Sequence, residues 1–129
     1  MPVTHSTTAR NAATDAVTAL IGTSGNLVYR LTGSVGTPGT AVATLPFSAT
    51  AFGAASSGTA TANAITDDSS ATGNASPVAT ATLETSGGTV VIHCEVAVSG
   101  SDINMTGGLT IAPGDTVTCS SLTYTALSA

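Results

Sequence analysis

The stretch that decides the fold is Thr89-Val90-Val91-Ile92-His93-Cys94-Glu95-Val96-Ala97-Val98. Its alternate positions form two sets. Val90, Ile92, Cys94, Val96 and Val98 make one; Val91, His93, Glu95 and Ala97 make the other. Successive side chains of a strand point to opposite faces. The first set therefore predicts a core face and the second a face at least partly in water. Just upstream, Ser86-Gly87-Gly88 reads as a hairpin turn joining this strand to another over 78–85.

Working outward, the same texture of short alternating runs between Gly, Ser, Pro and Asp clusters covers the chain from Gly25 onward. Leu27, Tyr29 and Leu31 alternate with Val28 and Arg30, which predicts a strand over 26–32. A Gly- and Pro-rich turn leads to a strand over 40–45, stopped by Pro46. Phe47 and Phe52 flank a loop with short pairing. A Thr/Ala strand over 59–66 ends in Asp67-Asp68-Ser69-Ser70, and 71–76 is loop. Short strands over 102–105 and 108–112 are joined by Gly107-Gly108. A final long strand spans 115–127. Its parity slips between Val117/Cys119 and Leu122/Tyr124, and a bulge at Ser120-Ser121 restores one core face.

The one helical pattern lies over 6–21. Ala9, Ala12, Ala13, Ala16, Val17, Leu20 and Ile21 draw a single apolar stripe. Ser6, Thr7 or Thr8 can cap its start, and Gly22 suits a left-handed stop. The expected fold is all-β, a jelly roll or β-sandwich of about eight short strands with one N-terminal α-helix. It reads as one domain over 1–129, with the helix at 6–21 and the sandwich at 25–127.

Composition narrows the function. The chain has 129 residues, two cations (Arg10 and Arg30), seven acids and no lysine, for a formal charge of −5. Without a basic stripe to neutralise phosphates, no nucleic-acid partner is expected. The longest run of large apolar residues is Val90-Val91-Ile92, so no membrane span is expected either. The opening Met1-Pro2-Val3-Thr4-His5-Ser6 has neither the basic start nor the apolar stretch of a signal peptide. This predicts assembly in the cytoplasm and reduced cysteines. Cys94 and Cys119 read as two small buried hydrophobes; a bridge between them, worth roughly 3 kcal/mol, is the alternative.

The residues that could do chemistry are few. No nucleophile elbow, phosphate loop or H-E-x-x-H occurs in the sequence. His93 and Glu95 share a strand face and could act as a base with its orienter or as two metal ligands, but no third ligand is nominated. Asp67-Asp68 and Asp102-x-Asn104 are fragments of oxygen-rich calcium loops that turn chemistry explains as well. The glycosylation triplets at Asn74 and Asn104 have no meaning without secretion. No enzyme, catalytic residue, metal site or cofactor is expected. Arg30, His93 and Glu95 are the polar strand residues nominated for contact with another subunit or a larger assembly.

Ala, Thr and Ser fill 22, 25 and 15 positions, while Leu, Ile, Val and Phe together fill 26. So thin a set of large apolar residues barely offsets the ordering entropy of the chain. Burying more surface against copies of itself or against a lattice is the remedy. The opening His5-Ser6-Thr7-Thr8-Ala9-Arg10-Asn11-Ala12-Ala13-Thr14-Asp15-Ala16-Val17 and Leu20-Ile21-Gly22 resemble the start of a family of small virion structural proteins of tailed bacteriophages. Ser101-Asp102-Ile103-Asn104-Met105 and Ile111-Ala112-Pro113-Gly114-Asp115-Thr116-Val117-Thr118 are similar to that family's closing strands. The resemblance implies a capsid decoration (cement) protein with a jelly-roll fold. It would act as a trimer on the phage major capsid protein and reside on the capsid surface of the virion. The alternative is a receptor- or glycan-binding module of a tail or fibre.

Overall fold

A side chain that can accept from the first turn of a helix fixes where the helix begins. Ser6 does this in the computed structural model, which describes residues 3–127: its Oγ accepts from Ala9 N–H at 3.1 Å. Helix α1 (Thr7–Ala19) follows, and Gly22 takes the left-handed conformation expected of the stop, at φ 70°. Met1, Pro2, Ser128 and Ala129, which the 1–129 reading includes, lie outside the described residues.

The rest is mostly β. The strands are β1 (Asn26–Arg30), β2 (Ala41–Pro46), β3 (Thr59–Thr61), β4 (Thr80–Glu84), β5 (Val90–Ala97), β6 (Ile103–Asn104) and β7 (Thr123–Thr125). Five form a sheet in the order β2-β1-β4-β5-β6, and β3 and β7 make a small antiparallel second sheet. Within the large sheet every pairing is antiparallel except β5 with β6.

Register builds the core in rows. Leu27 stands opposite Leu45 and Leu83, and Leu83 opposite Ile92; Tyr29, Ala81 and Cys94 make the next row. These side chains face Phe47, Phe52, Val78, Ile103, Ile111 and Val117 in one cluster. Phe47 and Phe52 pack at a ring separation of 5.9 Å and a tilt of 48°, a favourable aromatic arrangement.

Three expectations need correction. The strand foreseen over 115–127 exists only as β7 with one bridge, Asp68 to Val117. The parity slip at Ser120-Ser121 is absorbed by a break in the strand, so Val117, Cys119, Leu122 and Tyr124 all reach the core cluster. Likewise 108–112 forms no strand. Instead 68–78 runs against 109–117 through single backbone bonds, such as Val78 N–H to Leu109 C=O at 2.9 Å and Asn74 N–H to Ile111 C=O at 2.8 Å. Pro77, Gly73 and Pro113 interrupt any longer ladder. Val98, placed on the core face by alternation, is 49% exposed because it lies beyond the end of β5.

The helix departs from its periodicity. An apolar stripe is the side a helix ordinarily buries, yet of Ala9, Ala12, Ala13, Ala16, Val17, Leu20 and Ile21 only Ile21 is buried. Ala9, Ala12, Ala16 and Leu20 are exposed, and Ala13 and Val17 are half-buried. The docked side is the polar one. Thr14, fully buried, donates its hydroxyl to Gly58 C=O at 2.6 Å and accepts from Ala126 N–H at 3.1 Å. Asn11 Oδ1 accepts from Gly58 N–H at 2.7 Å, and Asp15 Oδ1 from Ala55 N–H at 2.8 Å. Arg10 reaches the carbonyls of Ser57 and Leu127 at 2.9 and 3.1 Å. The physical reason is backbone satisfaction. The 55–58 turn and the end of the chain carry N–H and C=O groups that must find partners when covered, and alanines have none to offer. Gly58, at φ +83°, has no room for a side chain beneath Arg10: a Cβ there would meet the guanidinium at 2.8 Å.

Candidate interaction surface

Opposite the core, the second face of the large sheet gathers every polar strand residue nominated from the sequence. Arg30 stands in one row with Thr80 and Glu95, and Thr82 pairs with His93 in the next. Residues in register across antiparallel strands share a face, so Arg30, His93 and Glu95 lie on one surface. What they do there differs.

Arg30 is turned inward. Its Nη2 meets Glu84 Oε2 at 2.5 Å, Nη1 donates to Gly39 C=O at 2.6 Å and Nε donates to Thr82 Oγ1 at 3.1 Å. The Thr82 hydroxyl donates to the same Glu84 oxygen. The side chains of Arg30 and Glu84 are only 14% and 6% exposed. The guanidinium is therefore a brace across β1 and β4 with its donors directed into the chain. Glu84 escaped the sequence reading. Its signal was present in retrospect, a lone acid at the end of a Thr-rich strand, but seeing it required knowing that β1 lies beside β4.

His93 and Glu95 do sit together, with His93 Nε2 3.7 Å from Glu95 Oε1. That exceeds a hydrogen bond. Glu95 is outward, its side chain 69% exposed, while His93 is mostly covered and its Nδ1 is buried with no hydrogen-bond partner. Asp102 adds a second carboxylate nearby, accepting from Glu95 N–H at 2.9 Å. Among the described residues no three of His, Cys, Asp and Glu converge as metal ligands. Asp68 is occupied in local turn and edge bonds, to Ser70 N–H and Thr44 N–H.

A hollow of about 510 Å³ opens between the β6 loop and 115–123, with Tyr29 and Cys119 among its lining residues. Burial pushes the Tyr29 hydroxyl well above its ordinary range, and the nearby Cys119 and Cys94 add to the shift. Burial also raises the Cys119 thiol, partly offset by contacts with Ser121 and Tyr29. Cys94 is pushed up to about 11 by burial first and then by the charges of Asp102 and Glu95. Both thiols are free and half-buried rather than fully buried, because Cys94 lies on a strand open along part of one side and Cys119 on a loop. Thiols held protonated are poor nucleophiles. Cys94 is accordingly expected to react with iodoacetamide at pH 8 at least about 100-fold more slowly than an unstructured cysteine. The same groups set an alkaline limit. For Cys94 the folded-state value lies above the unfolded one, so its contribution to stability is full below about pH 8.5 and declines as pH rises toward 11. A falling melting temperature from pH 8.5 to 11, with a smaller fall in Cys94→Ala, checks this.

Among the described residues no helix is long and apolar enough to cross a membrane. Comparison with family models, with curated proteins and with solved structures gives no match to this chain.

Proposed function

We propose that this chain is a structural component of a tailed-phage virion, a capsid decoration or cement protein. In this reading it clamps the shell as an oligomer, a trimer by the resemblance of its sequence, and its two sheets form a jelly-roll-type sandwich. The observation that carries the reading is helix α1. Its polar side does the docking, and its uncharged side, Ala9, Ala12, Ala16, Ala19 and Leu20, stands in water with Leu20 65% exposed. A stripe of small side chains lets another helix approach closely, because interaxial distance follows the size of the contact residues. The acidic charge and missing lysine suit a surface away from packaged DNA.

The tail or fibre binding reading draws less support. Stacking on a sugar ring needs exposed aromatics, whereas Tyr29, Phe47 and Phe52 are buried and Tyr124 is half-buried. Counting copies in purified virions decides between the two. Hundreds on the head are expected; a few at the tail would sink the decoration reading. On the isolated protein, light scattering should give an oligomer that Leu20→Asp dissociates with its circular dichroism unchanged. A wild-type monomer would refute the helix contact.

A further inference from the structure

An unpaired strand edge is a template for another chain, and β2, at one edge of the large sheet, has its edge covered. Along the outer side of β2, Thr44 N–H donates to Asp68, Gly73 N–H to Val42 C=O and Thr66 N–H to Pro46 C=O. Strand β5 is different. It pairs with β4 along one side, but on the other side β6 covers only Val96 and Ala97. The bond from Val96 N–H to Ala79 C=O sets the phase of the ladder. Backbone groups alternate in direction along a strand, so His93 turns both its N–H and its C=O away from β4, and Val91 turns its C=O the same way. The opening has a defined end toward β6, where Glu95 N–H is taken by Asp102. Beside it lies a hollow of about 280 Å³ walled by Leu83, Ile92 and Cys94 on one side and Leu122 and Tyr124 on the other.

Charge identifies the occupant. Arg10 and Arg30, the only cations besides histidine, are both bonded inside the chain. Glu95 projects at the end of the open edge with Asp102 beside it. A second copy would bring the same uncompensated acids to this edge, whereas a basic segment would neutralise them. We propose that the Val91–His93 edge of β5 accepts an extended strand of a partner protein carrying lysine or arginine beside Glu95, adding one strand to the large sheet. This deepens the decoration reading, in which the strand belongs to the shell protein. Main-chain bonds to His93 supply the attachment, and the apolar hollow takes alternate side chains.

The test uses the whole purified chain and two synthetic peptides of alternating Thr and Val, one flanked by Lys and one by Glu. Amide exchange by NMR is the readout. With saturating Lys-flanked peptide, exchange at His93 should slow by about tenfold or more, and Glu95→Gln should weaken binding about fivefold. His93→Pro should abolish it while β4–β5 protection persists, because the lost N–H points away from that ladder. Equal binding of the two peptides, or no slowing at His93 with either, overturns the proposal. So does His93 protection that rises with protein concentration alone, which would mean self-pairing. Because the peptides are read without a capsid, a virion lacking this protein would end the decoration reading and leave the peptide result standing.

Discussion

Glu84→Ala is expected to lower the unfolding free energy by about 3 kcal/mol or more. What the truncation leaves behind is costly. The Arg30 side chain is 14% exposed and makes its shortest contact with Glu84, so its charge would stay covered without a counter-ion. The Thr82 hydroxyl would lose its acceptor as well. Replacing both partners by apolar residues of similar volume, Arg30→Met with Glu84→Leu, should recover most of the loss. The desolvation cost of two buried ions then vanishes together with their attraction. Urea unfolding followed by far-ultraviolet circular dichroism measures this, since the chain has no tryptophan to report by fluorescence. A single-mutant loss below about 1 kcal/mol, the range of surface pairs, would show that water reaches the pair. Arg30 would then be free for the partner contact first expected of it.

Thr14→Val should cost about 2–3 kcal/mol although it preserves shape. The hydroxyl links three parts of the molecule: the helix, the turn at Gly58 and the end of the chain at Ala126. Valine fills the same space and leaves a covered carbonyl and a covered N–H without partners. The effect should be local first. Hydrogen exchange of the α1 amides should accelerate before that of β1 and β4, because the helix packs on the small β3–β7 sheet and its contacts there are mainly polar. Ala16→Ser, on the exposed side, should stay within about 0.5 kcal/mol. If the two substitutions cost the same, the helix is held by something other than the polar side.

Both predictions fall on residues that the sequence left unmarked, and the reasons are physical. Local features were legible. The capping hydroxyl of Ser6, the left-handed Gly22 and the alternation of Ile92, Cys94 and Val96 each depend on neighbours a few residues away. The turn at Ser86-Gly87-Gly88 places β4 beside β5 because a hairpin leaves no other option. The neighbour of β4 on its other side is β1, some fifty residues upstream, and alternation along either strand says nothing about that pairing. The Arg30–Glu84 brace could not be foreseen without it. Of the contact candidates, His93 and Glu95 share a face as their spacing required. That Arg30 joins them on the same face, yet points its charge inward, depends on the sheet order.

The helix shows where periodicity misleads. Alanines bury little area per residue, so an alanine stripe exerts a weak pull toward the core. The unsatisfied backbone of the 55–58 turn and the chain end exerts a stronger one, and Asn11, Thr14 and Asp15 answer it. By itself the sequence determined the helix and its ends, the strands β1, β2, β4 and β5 with the hairpin turn between the last two, the acidic composition and the scarcity of large core residues. These are set by composition and by interactions within one or two turns of chain. The tertiary structure alone decided which helix face is docked, which strands are neighbours, where the Arg30–Glu84 ion pair forms and which stretch of β5 edge is left open. Those outcomes depend on backbone groups and charges brought together from distant segments, where hydrogen-bond satisfaction outweighs the pattern of any single element.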